Sequence, residues 1–255
     1  MSAQSEFAGI AGEDGRAALV TVIAGGDVGA KLLVRADGST EGTLGADELD
    51  RAAVEAAEEL LWAERSETRA AGEATLFVDV VAPAPRLVIF GAVDYAASLA
   101  RLARAAGWRP FVSDPRSQFA TAARFPDAEE VIAAWPEEAF ARLGGIDRAT
   151  FIAVLTHDPK LDDAALTIAL RSDAAYVGAM GSRRAQAQRR ERLLAAGIDE
   201  ELLERIAAPI GLDLGAVSPE ETALSIMAEV VAVRNGREGG RLSHARGGRI
   251  HEVGA

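Results

Sequence analysis

The stretch that decides the fold is RLVIFGAVDYAASLARLARAA, residues 86–106. Arg86–Phe90 is a continuous apolar run between Pro85 and Gly91, which suits a strand buried on both faces of a parallel sheet. From Ala96 to Ala106 the apolar residues return at helical spacing, with Leu99, Leu102 and Ala103 on one stripe, and Gly107 ends the run. A strand, a glycine turn and a helix form the opening unit of a doubly wound domain. The pattern repeats downstream. Strands are expected at Arg109–Ser113, Ala128–Val131, Thr150–Leu155 and Ala175–Ala179. Helices are expected over Pro136–Leu143, from Asp158-Pro159 to Arg171, from Gly181-Ser182 onward, and over Pro219–Arg234. Asp158 reads as a helix cap followed by a first-turn proline, and Ser218-Pro219-Glu220-Glu221 as a capping box. Strands alternating with crossover helices predict a Rossmann-like parallel sheet.

Working back toward the N-terminus, Val81-Ala-Pro-Ala-Pro85 is an extended connector hostile to helix. Before it, AALVTVIA (17–24), KLLVRA (31–36) and Thr40–Leu44 read as strands. Asp37-Gly38 between the last two predicts a type I′ hairpin. Asp47 is the expected cap of a helix over about Glu48–Arg65, and one more strand lies within Arg69–Val81. The expected architecture is α/β: a smaller α+β domain over 1–83, then a Rossmann-like domain over 84–255. The last twenty residues are rich in Gly and Arg and read as loop.

Composition narrows the function classes. The chain has 255 residues, with 39 Asp and Glu against 27 Lys and Arg, a formal charge of −12. That balance argues against a general nucleic-acid binder. With no cysteine, the chain offers no thiolate metal site, cysteine nucleophile or persulfide. No zinc-type spacing is present and no metal site is expected. No secretory signal and no long apolar span is visible, so the expectation is a soluble cytoplasmic protein that does not engage membranes.

Four constellations could carry chemistry. Gly91-Ala92-Val93-Asp94-Tyr95-Ala96 joins the first strand to its helix, where a dinucleotide fold places its glycine loop, and Asp114 ends the next strand, where a ribose-binding acid belongs. The second and third glycines of that loop are replaced by Val93 and Ala96; valine crowds a phosphate and Asp94 repels it. Thr156-His157-Asp158 follows a buried strand, and His157 and Asp158 are candidates for proton transfer; equally, Asp158 caps the next helix and His157 bonds to backbone. Gly178 and Gly181-Ser182-Arg183-Arg184 form an anion cradle at a helix start. Arg189, Arg190 and Arg192 read instead as a solvated face paired with acids. Gly211-Leu-Asp213-Leu-Gly215 precedes the capped helix and suits close backbone approach.

The stretches LVIFGA (87–92), VSDPR (112–116), VLTHDPKLDD (154–163), YVGAMGSRR (176–184), APIGLDLGA (208–216) and SPEETALSIMAEVVAVR (218–234) together resemble the XdhC/CoxI family. VGAKLLV (28–34) and GTLGADELD (42–50) extend the resemblance into the first domain. The family's GAGHVA loop is GAVDYA here, and its GGGC segment is Gly45-Ala46-Asp47-Glu48, so this is a divergent member. The resemblance implies an accessory factor in the maturation of a molybdenum hydroxylase such as xanthine or CO dehydrogenase. Such a factor is a cofactor-binding protein rather than a catalyst. The implied ligand is molybdenum cofactor (molybdopterin), with NAD(P) or FAD as the alternative. The implied partners are a hydroxylase subunit and a cysteine desulfurase, with the chain itself a homodimer. The implied cofactor-binding set is Gly91, Ala92, Asp94, Tyr95, Asp114, Arg116, Thr156, His157, Gly178, Gly181, Ser182, Arg183, Arg184, Gly211 and Asp213. Two other readings stand beside this one: an NAD(P)-dependent oxidoreductase resting on the strand–GA–helix unit with Asp114, and a protein-interaction module whose nucleotide pocket has degenerated at Val93 and Asp94.

Overall fold

The computed structural model describes residues 2–13 and 15–244. Residues 245–255, part of the segment expected to be loop, lie outside them. The chain divides into two units, Met1–Ala84 and Pro85–Ala255.

The first unit contains α1 (Ala3–Gly12), β1 (Ala17–Ala24), β2 (Lys31–Arg35), β3 (Thr40–Thr43), α2 (Asp47–Ala63), β4 (Glu67–Ala71) and β5 (Ala74–Val81). Its five strands form an antiparallel sheet in the order β3-β2-β1-β5-β4. One face packs on Ala53, Ala57, Leu60 and Leu61 of α2 through Val20, Val22, Leu32 and Leu76. The other face carries Ala17, Leu19 and Leu33 beneath Phe7 of α1. Three local expectations change here. The segment expected to hold one strand after α2 is a hairpin, β4 and β5, turning at Gly72 with φ +60°. The Asp37-Gly38 turn is not type I′. Only Gly38 of the two has positive φ (+81°), and the bonds Gly38 N–H to Arg35 O (2.9 Å) and Arg35 N–H to Ser39 O (2.9 Å) make it a three-residue loop with glycine at the bulge. Asp47 is already inside α2, whose N-cap is Ala46. Asp50 does the anchoring, accepting from Leu44 N–H (2.6 Å) and Thr43 Oγ1 (2.8 Å).

The second unit runs β6 (Arg86–Phe90), α3 (Asp94–Ala105), β7 (Arg109–Ser113), β8 (Glu130–Ile132), α4 (Pro136–Arg142), β9 (Thr150–Val154), α5 (Pro159–Leu170), β10 (Tyr176–Ala179), α6 (Arg183–Ala195), α7 (Glu200–Leu203), β11 (Ile206–Ala207) and α8 (Pro219–Arg234). All six strands are parallel, in the order β11-β10-β9-β6-β7-β8. Counted within the unit this is 6-5-4-1-2-3, the doubly wound order whose direction reverses between β6 and β9. The continuous apolar run of β6 is explained by its two covered faces. Leu87 and Ile89 pack with Leu99 and Ala100 of α3 and Ile226 and Val230 of α8, while Val88 and Phe90 pack with Phe140 of α4 and Leu166 of α5. The expected caps are present: Asp158 accepts from Lys160 N–H (3.0 Å), and Ser218 and Glu221 form the reciprocal capping box. Among the described residues no helix is long and apolar enough to cross a membrane.

Candidate functional site

In a sheet of this order the ligand crevice opens outside the carboxyl ends of the strands, where β6 and β9 diverge. The turn after β6 sits in that crevice. Gly91 has φ +112°, and a Cβ there would stand 2.8 Å from Thr156 Cγ2 at the end of β9. Glycine is therefore required for the two strand ends to meet. Ala92 is buried, Val93 is the N-cap of α3 without a side-chain bond, Asp94 is exposed, and Tyr95 is half-buried. Ala96, at the third position of the loop pattern, is fully buried and brings α3 close to the sheet.

Asp114, expected to receive a ribose, is 0% exposed and already saturated. Its Oδ2 accepts from Ala92 N–H (2.9 Å) and Arg116 Nη2 (2.7 Å), and its Oδ1 from Arg116 N–H (2.9 Å) and Nε (2.9 Å). Burial alone raises its pKa, but the Arg116 guanidinium and the two backbone N–H groups outweigh it and hold the carboxyl below its ordinary value. Its contribution to stability is present above the ordinary carboxylate range and lost as pH falls through that lowered value. Asp114 thus ties the β7 end to the glycine turn, and Arg116 is the group that remains in contact with solvent.

At the end of β9 a buried chain of polar groups supports the crevice. Thr156 Oγ1 donates to Asp162 Oδ1 (2.7 Å) and accepts from Asp158 N–H (2.9 Å). Asp162 Oδ2 accepts from Arg189 Nη2 (2.9 Å), which also donates to Met180 O (3.0 Å). Burial raises the Asp162 carboxyl above its ordinary value, against the opposing pull of Thr156 and Arg189. The solvated-face reading of Arg189 is corrected here, since the residue is only 5% exposed and joins α6 to α5. Arg192 pairs bidentately with Asp163 (2.6 and 3.0 Å) and Arg190 pairs with Glu200, as a charged face paired with acids requires. His157 is exposed, and Asp158 is occupied as the cap of α5.

The turn expected to cradle an anion lies at the end of β10. Gly181 has φ +133°, and Ser182 caps α6 by accepting from Ala185 N–H (3.3 Å). Arg183 and Arg184 are exposed in the first turn of α6. Gly178 lies deeper, within β10, where a Cβ would strike Ile210 and Tyr176 Oη at 2.5 Å, so its role is packing. Gly211 (φ +102°) is pressed against Ser225 Oγ, and its N–H donates to Glu229 Oε2 (2.8 Å). The Tyr176 hydroxyl donates to the same carboxylate, and burial followed by that bond raises its pKa. Asp213 is exposed on the loop beyond.

The crevice thus brings together Gly91, Ala92, Arg116, Thr156, His157, Gly181, Ser182, Arg183 and Arg184 from the ends of four adjacent strands. Asp114, Gly178 and Gly211 stand behind it as supports. Sequence reasoning missed Asp162, Arg189 and Glu229, whose partners lie far along the chain. Among the described residues no group of His, Asp and Glu is arranged to hold a metal ion. An open groove of about 470 Å³, lined by Phe140, Ile146, Ile168 and Arg171, lies at the C-terminal ends of α4 and α5, the opposite edge of the sheet from this crevice.

Comparison with known proteins accords with this architecture. The sequence profile of the XdhC Rossmann domain matches residues 87–230, more than half of the chain, and that of the XdhC and CoxI family matches residues 11–72. The chain is 31% identical over 159 residues to a Bacillus subtilis protein described as a probable xanthine dehydrogenase subunit, covering 62% of this chain and 46% of that protein. It is 30% identical over 152 residues to the molybdenum cofactor insertion chaperone PaoD of Escherichia coli, covering 60% and 41%. It thus spans less than half the length of these curated relatives. A solved structure described as a xanthine dehydrogenase from Bacillus halodurans shares the fold, with a TM-score of 0.54 at 21% identity over 93% of this chain and 97% of that one.

Proposed function

The chain belongs to the XdhC and CoxI family, and we propose that it is a maturation factor for a molybdenum hydroxylase of the xanthine or CO dehydrogenase type. On this reading it binds molybdenum cofactor, or a related nucleotide, at the crevice and hands it to the apo-enzyme. The observation that carries the reading is the pairing of the family match with a cradle of the right chemistry. Molybdopterin bears a phosphate. Ser182, the leading N–H groups of α6 and the Arg183 and Arg184 forks all favour an anion at one place. Gly91 lets the β6 end close against Thr156, and Gly181 lets the turn into α6 pack against Ala185 and Gln186, which fixes where that helix begins. Because the body of the protein is acidic, the anion is not drawn from afar; dipole and guanidinium act at contact range.

The cofactor, when bound, supplies the metal chemistry; this chain supplies binding and orientation. Arg183 and Arg184 hold the phosphate, Thr156 and the Asp162–Arg189 pair keep the β9 and β10 ends in register, and exposed His157 lines the entrance. With no cysteine the chain has no thiol to carry sulfur, so sulfuration falls to a partner such as a cysteine desulfurase. The expected partners are a hydroxylase subunit and a second copy of the chain, acting in the cytoplasm.

The test is direct. Protein isolated from its own host releases a fluorescent pterin on denaturation, and the Arg183→Ala, Arg184→Ala double variant releases much less. A wild-type preparation that carries no pterin and takes up no added molybdenum cofactor sinks the reading.

A further inference from the structure

The corner of the crevice at the end of β7 is not used by the reading above. At this position of a doubly wound sheet an open carboxylate accepts hydrogen bonds from ribose hydroxyls, while a nearby arginine accommodates a phosphate on the ribose. Here the carboxylate is closed. Asp114 is fully buried, and both its oxygens are shared among Ala92 N–H and three donors of Arg116. A ribose diol finds no acceptor on it.

Arg116 is open in the complementary way. A guanidinium has five N–H donors on two usable forked edges. The Nε and Nη2 edge is taken by Asp114. That leaves the Nη1 and Nη2 edge, and the side chain remains 46% exposed. Phe119 fixes the orientation of this fork, with the Arg116 guanidinium 5.0 Å from the ring centroid. A second guanidinium, that of Arg124, lies 5.9 Å from the same ring. Arg124 is anchored through Nη1 to Ala92 O (3.0 Å) and Phe119 O (3.2 Å), and its Nη2 reaches Asp94 at 3.4 Å. Asp94 and Asp158 are the acids near this corner, so selectivity must come from the fork geometry and not from net charge.

We infer that this corner takes a phosphomonoester on the ribose of a nucleotide, with Arg116 presenting its free edge to the phosphate while Asp114 holds the other edge. The ligand class is a 2′-phosphorylated nucleotide, distinguished from the same nucleotide with a free 2′,3′-diol. This inference does not depend on pterin binding at Arg183 and Arg184.

Titration calorimetry on the full chain tests it, with adenosine 2′,5′-bisphosphate, adenosine 5′-monophosphate and inorganic phosphate as probes. The bisphosphate is expected to bind at least about tenfold more tightly than the monophosphate. Arg116→Gln is expected to abolish that preference and leave monophosphate binding unchanged. Because Arg116→Gln strips the partner from a buried carboxylate, Asp114→Asn serves as the second variant. Its amide accepts on one atom only, so it frees the Arg116 edge that Asp114 held without leaving a buried charge, and it is expected to lose most of the bisphosphate preference as Arg116→Gln does. Equal affinity for the two nucleotides, no binding of either at millimolar concentration, or inorganic phosphate binding as tightly as the bisphosphate would overturn the inference. So would an unchanged preference in both variants. Pterin release from the same preparations is measured separately, so that either reading can fail alone.

Discussion

Two pairs of arginines on α6 share a residue type and a helix but not an environment. Arg183 and Arg184, in the first turn, are exposed. Arg189 and Arg192, farther along, meet Asp162 and Asp163 of α5, and Arg189 is nearly fully buried. The difference teaches that arginine in this helix is used in two ways. One pair locks the helix to its neighbour and so fixes where the helix begins. The other stays exposed at that beginning, where we propose that it meets an anion. Breaking the lock should lower stability. Removing the presented pair should lower only ligand affinity.

The sharpest way to break this contrast is Arg189→Ala. It leaves Asp162 charged and buried beneath Thr156, and the expected loss is about 3–5 kcal/mol, read by urea or thermal unfolding. The paired replacement Arg189→Met with Asp162→Leu should recover much of that loss, because no uncompensated charge remains. A wild-type stability in Arg189→Ala would mean that the ion pair does not hold the helix. Gly91→Ala comes next. It forces a side chain into a φ of +112° and against Thr156, at an expected cost of about 1–3 kcal/mol, with the change in melting temperature as readout. Ser182→Ala removes the cap of α6 and should cost about 1 kcal/mol, together with some weakening of any anion held there. The smallest effect on stability, within about 0.5 kcal/mol, is expected for Arg183→Ala with Arg184→Ala. A large destabilisation by that pair would erase the distinction between the two kinds of arginine.

Much of this layout is legible in the chain. The strand–glycine–helix unit at 86–106, the proline connector, and the caps at Asp158 and Ser218 are all signalled by residues within a few positions of one another. The start of α6, with Ser182 as its cap, is local in the same way. Departures from expectation come both from local geometry, as at the Asp37-Gly38 turn, and from contacts between distant segments. The buried state of Arg189 requires Asp162, 27 residues earlier, whereas Asp114 is closed chiefly by Arg116, two residues on, with the N–H of Ala92, 22 residues earlier, taking the fourth bond. Helix α1 escapes a reading of the sequence, because only Phe7 of that helix is buried and its apolar pattern is faint.

What the sequence determined by itself was the strand–helix alternation of the second unit, the division near Pro85, and the family. Periodicity, capping and turn chemistry act over a few bonds, so they can be read directly. What only the tertiary structure decided was which polar groups at the strand ends stay free to meet a ligand. Asp114 carries the residue type of a ribose acceptor yet is consumed by Arg116 and a backbone N–H, while Arg183 and Arg184 remain open. A charged side chain is available only when folding brings it no partner, and that partner can be a residue of the same loop, as Arg116 is for Asp114, or one on a distant helix, as Asp162 is for Arg189.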